Sequence, residues 1–144
     1  MFLARPEWIL PSMTKSEMLV AVDAREIITI IMVSDPVKAK DWYTRLFGKG
    51  PDLEPFPGNV EFKIGGAWVQ VKRGSVKPSS WSLQIEVRDL SKERERLRRS
   101  GIEATEINTV PGVISYFDLK DPDGNGMRWF QILTSDVKVT GGRE

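Results

Sequence analysis

The sequence predicts an α+β protein built from two copies of one strand–helix–strand–strand–strand module, and two observations carry that expectation. Asp35 and Asp89 stand where helix N-caps belong, 54 residues apart (89 minus 35), and Gly48 and Gly101 stand where those helices should stop, 53 apart (101 minus 48). After each helix come short β-branched or alternating segments, separated by glycine- and proline-rich turns.

Module one, residues 26–74, opens with Ile27-Ile28-Thr29-Ile30-Ile31-Met32-Val33, apolar on both faces as a buried strand would be. Ser34-Asp35-Pro36 then supplies an N-cap followed by proline at the first helical position, where a missing N–H removes no helical bond. The helix carries Val37, Trp42, Tyr43, Leu46 and Phe47 at apolar spacing, and Gly48 is the left-handed stop. A strand near Leu53 is barely marked, whereas Val60 to Ile64 and Ala67 to Lys72 are clear, joined by a Gly65-Gly66 turn. That glycine pair has neither the spacing nor the following helix of a phosphate-binding loop.

Arg73 to Ser80, with Gly74, Pro78 and three serines, reads as the linker. Module two, residues 81–134, begins with the alternating strand Ser82 to Val87. Its helix, Leu90 to Ser100, is mostly charged, with Leu90 and Leu97 as apolar anchors and Lys92 to Arg96 on a solvated face. A weak strand at Glu103 to Ile107 is expected next, then Val113 to Leu119, the turn Asp121-Pro122-Asp123-Gly124-Asn125-Gly126, and a final strand from Met127 to Leu133. Residues 1–25, with Pro6, Pro11 and the polar run Thr14 to Glu17, read as an extension, and 135–144 as a tail.

Composition narrows the chemistry. The 144 residues include no histidine and no cysteine. Disulfides, thiolate nucleophiles, His-based triads and His- or Cys-ligated metal sites are therefore excluded, and an enzyme here would have to use carboxylates, lysine, tyrosine or hydroxyls. A net charge of +1 gives no field to attract nucleic acid or anionic lipid. No run approaches the roughly 18 apolar residues of a membrane span. The opening MFLARPEWILPSM is interrupted by two prolines and a glutamate where a signal peptide would be apolar, so a cytoplasmic location is expected.

Val33-Ser34-Asp35, the helix end Trp42-Tyr43 to Leu46-Phe47-Gly48, Val87-Arg88-Asp89-Leu90 and the turn Asp121-Pro122-Asp123-Gly124-Asn125 together make the chain resemble the glyoxalase/bleomycin-resistance/dioxygenase superfamily, the vicinal oxygen chelate fold. The resemblance covers about residues 26 to 134. It implies two βαβββ modules whose strands form a cup-shaped mixed sheet, with helices on the convex side, a ligand in the concavity and, commonly, assembly as a homodimer. Metal-dependent relatives place histidine or carboxylate ligands at positions that correspond here to Ile28, Gln70, Ser82 and Arg128. Isoleucine has no lone pair and a guanidinium repels a cation, so no metal and no cofactor is expected.

Strand alternation sorts side chains between the helix-packed face and the cup. Leu83, Ile85, Val87, Met127, Trp129, Val69 and Val71 should pack under the helices. The candidate ligand-binding set is then Met32, Trp68, Gln70, Ser82, Gln84, Glu86, Tyr116, Arg128 and Phe130. Arg128 is either a fork for a ligand carboxylate, phosphate or carbonyl, or an internal partner of Glu86 or Asp118. Trp68 is either a stacking wall for a planar ligand or a core filler. Glu86 and Tyr116 could serve acid–base chemistry or simply line the cup.

Three functions remain open at this level. The first is a metal-free binder, perhaps drug-sequestering, for a small planar or anionic organic ligand. The second is a lyase, isomerase or dioxygenase-like enzyme using a carboxylate or tyrosine, and the third is a structural module with a filled cup.

Overall fold

The computed structural model describes residues 7–14 and 20–134. Residues 7–14 and 20–25 contain no helix or strand, and the tail expected at 135–144 lies outside the described residues. Module one runs β1 (Ile28–Val33), α1 (Pro36–Phe47), β2 (Leu53–Phe56), β3 (Asn59–Ile64) and β4 (Ala67–Arg73). Module two repeats the order as β5 (Leu83–Glu86), α2 (Leu90–Arg99), β6 (Asn108–Val110), β7 (Ile114–Lys120) and β8 (Gly126–Ile132). Each makes a mixed four-stranded sheet, β1-β4-β3-β2 and β5-β8-β7-β6, in which the first and last strands lie parallel. A parallel pair needs a long crossover, and the helix begins it.

The helix boundaries follow from their caps. Asp35 accepts from the N–H groups of Val37 and Lys38, both at 3.1 Å, and α1 ends at Gly48 with φ 67°. Asp89 accepts from the N–H of Lys92 at 3.0 Å, and Gly101 follows α2 with φ 79°. Under the helices lies one apolar core. Trp42, Tyr43 and Leu46 of α1, Phe62, Val69 and Val71 of the first sheet, and Leu90, Leu97, Phe117 and Trp129 of module two are all buried in it. The helices are tied directly as well: the Arg96 guanidinium donates to the carbonyls of Arg45 (3.1 Å) and Leu46 (2.8 Å), which the end of α1 leaves without helical partners.

One weakly marked strand lies where expected and the other does not. The barely marked strand near Leu53 is present as β2, an edge strand with all four residues exposed. The strand expected at Glu103 to Ile107 lies later, at Asn108–Val110. At Thr105 the backbone N–H does donate to the carbonyl of Asp118, but the return bond from the Asp118 N–H goes to the Thr105 hydroxyl, at 2.9 Å. A side chain has intercepted the ladder, and regular pairing resumes only past it. No helix among the described residues is long and apolar enough to cross a membrane.

The turn between β7 and β8 joins the modules. Asp121, 5% exposed, accepts from the N–H groups of Asp123 and Asn125, from the Asn125 side-chain amide, and from the Tyr43 hydroxyl of α1 at 2.6 Å. Asn125 also donates to the Met32 carbonyl at 3.1 Å, and Asp123 accepts from both the N–H and the hydroxyl of Ser34. Burial, then the hydrogen bond to Asp121, holds the Tyr43 phenol far above its ordinary pKa, so it remains a donor. Tyr43→Phe removes one of four donors to a buried carboxylate and should lower unfolding free energy by about 2 kcal/mol. Urea denaturation monitored by circular dichroism checks this; the expected curve has a lower midpoint and an unchanged slope, and an unchanged midpoint would count against the clasp.

Candidate functional site

Burial divides the strand faces as alternation predicts. Val69, Val71, Met127 and Trp129 are buried, and Leu83, Ile85 and Val87 pack against the core. In β1 it is Ile31 and Val33 that are buried, which leaves Ile28, Ile30 and Met32 on the open face. The open face of the second sheet carries a grid set by register: Gln84, Arg128 and Asp118 form one row across β5, β8 and β7, and Glu86, Phe130 and Tyr116 form the next. The open face of the first sheet carries the row Ile30, Gln70 and Glu61, flanked by Ile28, Trp68 and Lys63.

The nine predicted residues are thus distributed over two sheet faces and a cleft. Met32 and Ser82 line a cleft of about 510 Å³ between the modules, with Ser75, Lys77, Ser79 and Asn125. Trp68 has the Lys63 ammonium 5.6 Å from its ring centroid, and Gln70 donates to Glu61 at 3.2 Å. Gln84, Glu86, Tyr116, Arg128 and Phe130 share the open face of the second sheet.

Arg128 is the organising residue of that face. Its Nε and Nη2 donate to the two carboxylate oxygens of Asp118 at 2.7 and 3.0 Å, the two-bond geometry to which a guanidinium is suited. The internal partner is therefore Asp118, the cross-strand neighbour, of the two acids considered. The same guanidinium carbon lies 3.8 Å from the Tyr116 ring centroid and 4.3 Å from that of Trp81. The hydrogen bonds to Asp118 raise the Arg128 pKa further above its ordinary value, so the cation is permanent.

Trp81 was not among the expected site residues. It lies just before β5, and its place is set by backbone pairing at Gly126: the Gly126 N–H donates to the Ser79 carbonyl at 2.7 Å, and the Ser82 N–H donates to the Gly126 carbonyl at 2.8 Å. A Cβ on residue 126 would stand 2.4 Å from the Ser80 carbonyl oxygen, so only glycine lets the linker approach this closely. The available signal was a glycine opening an apolar strand, which marks close backbone approach. Beside the Arg128–Asp118 pair, Trp81 bounds a cleft of about 450 Å³ together with Ser80, Thr105, Asp118, Lys120 and Gly126.

The residues that the sequence resemblance sets at metal positions do not fit a divalent cation. Ile28 is aliphatic, Arg128 is a paired cation, and the Gln70 amide is turned toward Glu61. Ser82 offers only a neutral hydroxyl. Among the described residues no three histidine, cysteine or acidic side chains cluster as a metal site would require.

Gly126→Ala should force the Ser79–Trp81 backbone away from β8, destabilising the chain by about 1–3 kcal/mol and moving Trp81 off Arg128. Urea denaturation reads the first effect. The second is read from the Trp81 indole N–H resonance, assigned with Trp81→Phe; an unshifted resonance would contradict the assigned role of Gly126.

No protein-family model and no curated protein sequence matches the chain. Among solved structures, a glyoxalase/bleomycin resistance protein from Catenulispora acidiphila superposes with a TM-score of 0.67 at 19% identity, over 76% of this chain and 99% of that one. A lactoylglutathione lyase from Agrobacterium tumefaciens gives 0.61 at 18% identity, over 73% and 91% respectively. A genomically encoded fosfomycin resistance protein from Listeria monocytogenes gives 0.63 at 16% identity, over 78% and 94%. At these identities the likeness is one of fold, and the fold is the one the caps and the Asp121–Asn125 turn had implied: two βαβββ modules arranged as in the glyoxalase/bleomycin-resistance structures.

Proposed function

We propose that the chain is a metal-free small-molecule binding protein of the glyoxalase/bleomycin-resistance type, which acts by sequestering an organic ligand against the open face of its second sheet. The observation that carries this reading is Arg128. At a position where metal-dependent relatives supply a metal ligand, it is a permanent cation, paired with Asp118 and packed on Trp81 and Tyr116. Such a group cannot ligate a metal, but it packs on Trp81, which with Asp118 lines a cleft of about 450 Å³, large enough for a small molecule. Enzymatic chemistry has weaker support: the Tyr116 ring is packed against Arg128.

The same reading places the protein in the cytoplasm and gives it a second copy of itself as partner, an assembly supported by the exposed Ile27 and, on β1, Ile28 and Ile30. Analytical ultracentrifugation reads that assembly.

A thermal-shift panel of planar antibiotics, aromatic acids, thiol conjugates and divalent metals tests the central claim. A ligand at about 100 times its Kd adds about 2.7 kcal/mol, a shift of a few degrees. Organic compounds should raise the Tm, metals should leave it unchanged, and Arg128→Met should abolish the organic response. A rise with metals alone would reject the metal-free reading.

A further inference from the structure

The binding reading leaves the ligand's charge open, and the surroundings of Arg128 bear on it. Two of its three guanidinium nitrogens are spent on Asp118, and its faces are spent on two aromatic rings. The adjoining cleft is lined by Glu103, Asp118 and Lys120, and Arg128 stands behind its wall, paired with Asp118, so two acids meet one base at the lining and one behind it. An anionic ligand would have to displace Asp118 to claim the guanidinium, and a cationic one would have to displace Arg128 to claim Asp118. Either exchange strands one charge at a partly enclosed surface. What the site offers without such an exchange is the indole of Trp81, 53% exposed, held beside the cleft by the Gly126 pairing, and the Ser80 hydroxyl on the cleft lining.

Resting on the binding function proposed above, we propose that this cleft selects a flat, uncharged molecule bearing a hydrogen-bond acceptor, stacked on Trp81, and that Asp118 is the specificity-determining residue that excludes anions by neutralising Arg128. Removing the Asp118 charge frees the guanidinium and converts the site to one that prefers carboxylates.

The test is calorimetric titration of the full chain with three probes of matched shape: 2-naphthylmethanol, 2-naphthoate and 2-naphthylmethylammonium. The alcohol should bind at least about tenfold more tightly than either ion, the discrimination expected when binding leaves one charge unpartnered. Asp118→Asn should raise naphthoate affinity relative to the alcohol about tenfold, and Trp81→Ala should weaken the alcohol about tenfold. Naphthoate binding the unmodified chain as tightly as the alcohol overturns the proposal while leaving the binding function standing. So does alcohol affinity that is indifferent to Trp81→Ala. Failure of all three probes also overturns it, and the thermal-shift panel then decides separately whether the broader function survives.

Discussion

A carboxylate buried as deeply as Asp121 is tolerated only if its lone pairs are filled, because desolvating a charge without compensation costs several kcal/mol. Here four donors reach its two oxygens. Three belong to the turn itself and make its shape a condition of Asp121's burial. The fourth, the Tyr43 hydroxyl, comes from the helix of the other module, so the turn cannot close fully unless the modules are docked. Asn125 and Asp123 extend the same clasp to the end of β1 and to Ser34, just ahead of α1. Local turn formation and long-range packing are thereby one event.

The turn delivers the chain into β8 at Gly126, and from there the site follows. The linker residues that bracket Gly126 carry Trp81 onto Arg128, two positions further along the strand. The Arg128–Asp118 pair is partly exposed, 25% and 39% at the side chains, so its contribution to stability is modest, about 1 kcal/mol or less. Its consequence is electrostatic. A bidentate pair, framed by two rings, turns what would have been an isolated cation into a neutral, rigid and flat-sided wall.

Much of this was legible in the sequence because the rules involved are local. Asp35, Asp89, Gly48 and Gly101 announce helix ends through their own side chains or lack of one, and period-two alternation assigns Met127, Trp129, Val69 and Val71 to the core without any knowledge of neighbours. The shifted β6 was not legible, because the Thr105 hydroxyl takes a ladder bond that a propensity argument assigns to a carbonyl. The choice between Glu86 and Asp118 needed the β7–β8 register, which puts Asp118 directly across from Arg128 while Glu86 faces Phe130. Trp81 was invisible for a related reason: it lies outside the strand whose alternation would have assigned it a face, and its position depends on a backbone meeting between residues more than 40 apart in sequence.

Arg128 is not a position that one substitution could turn into a metal ligand. Exchanging Arg128 for glutamate would place a second carboxylate opposite Asp118, and two like charges across a strand pair repel unless a cation separates them. A divalent ion could supply that separation only with further donors. Ile28 supplies none, and the Gln70 amide is already engaged with Glu61. The scarcity of metal donors around Arg128 and the Trp81–Arg128–Tyr116 packing are therefore coupled.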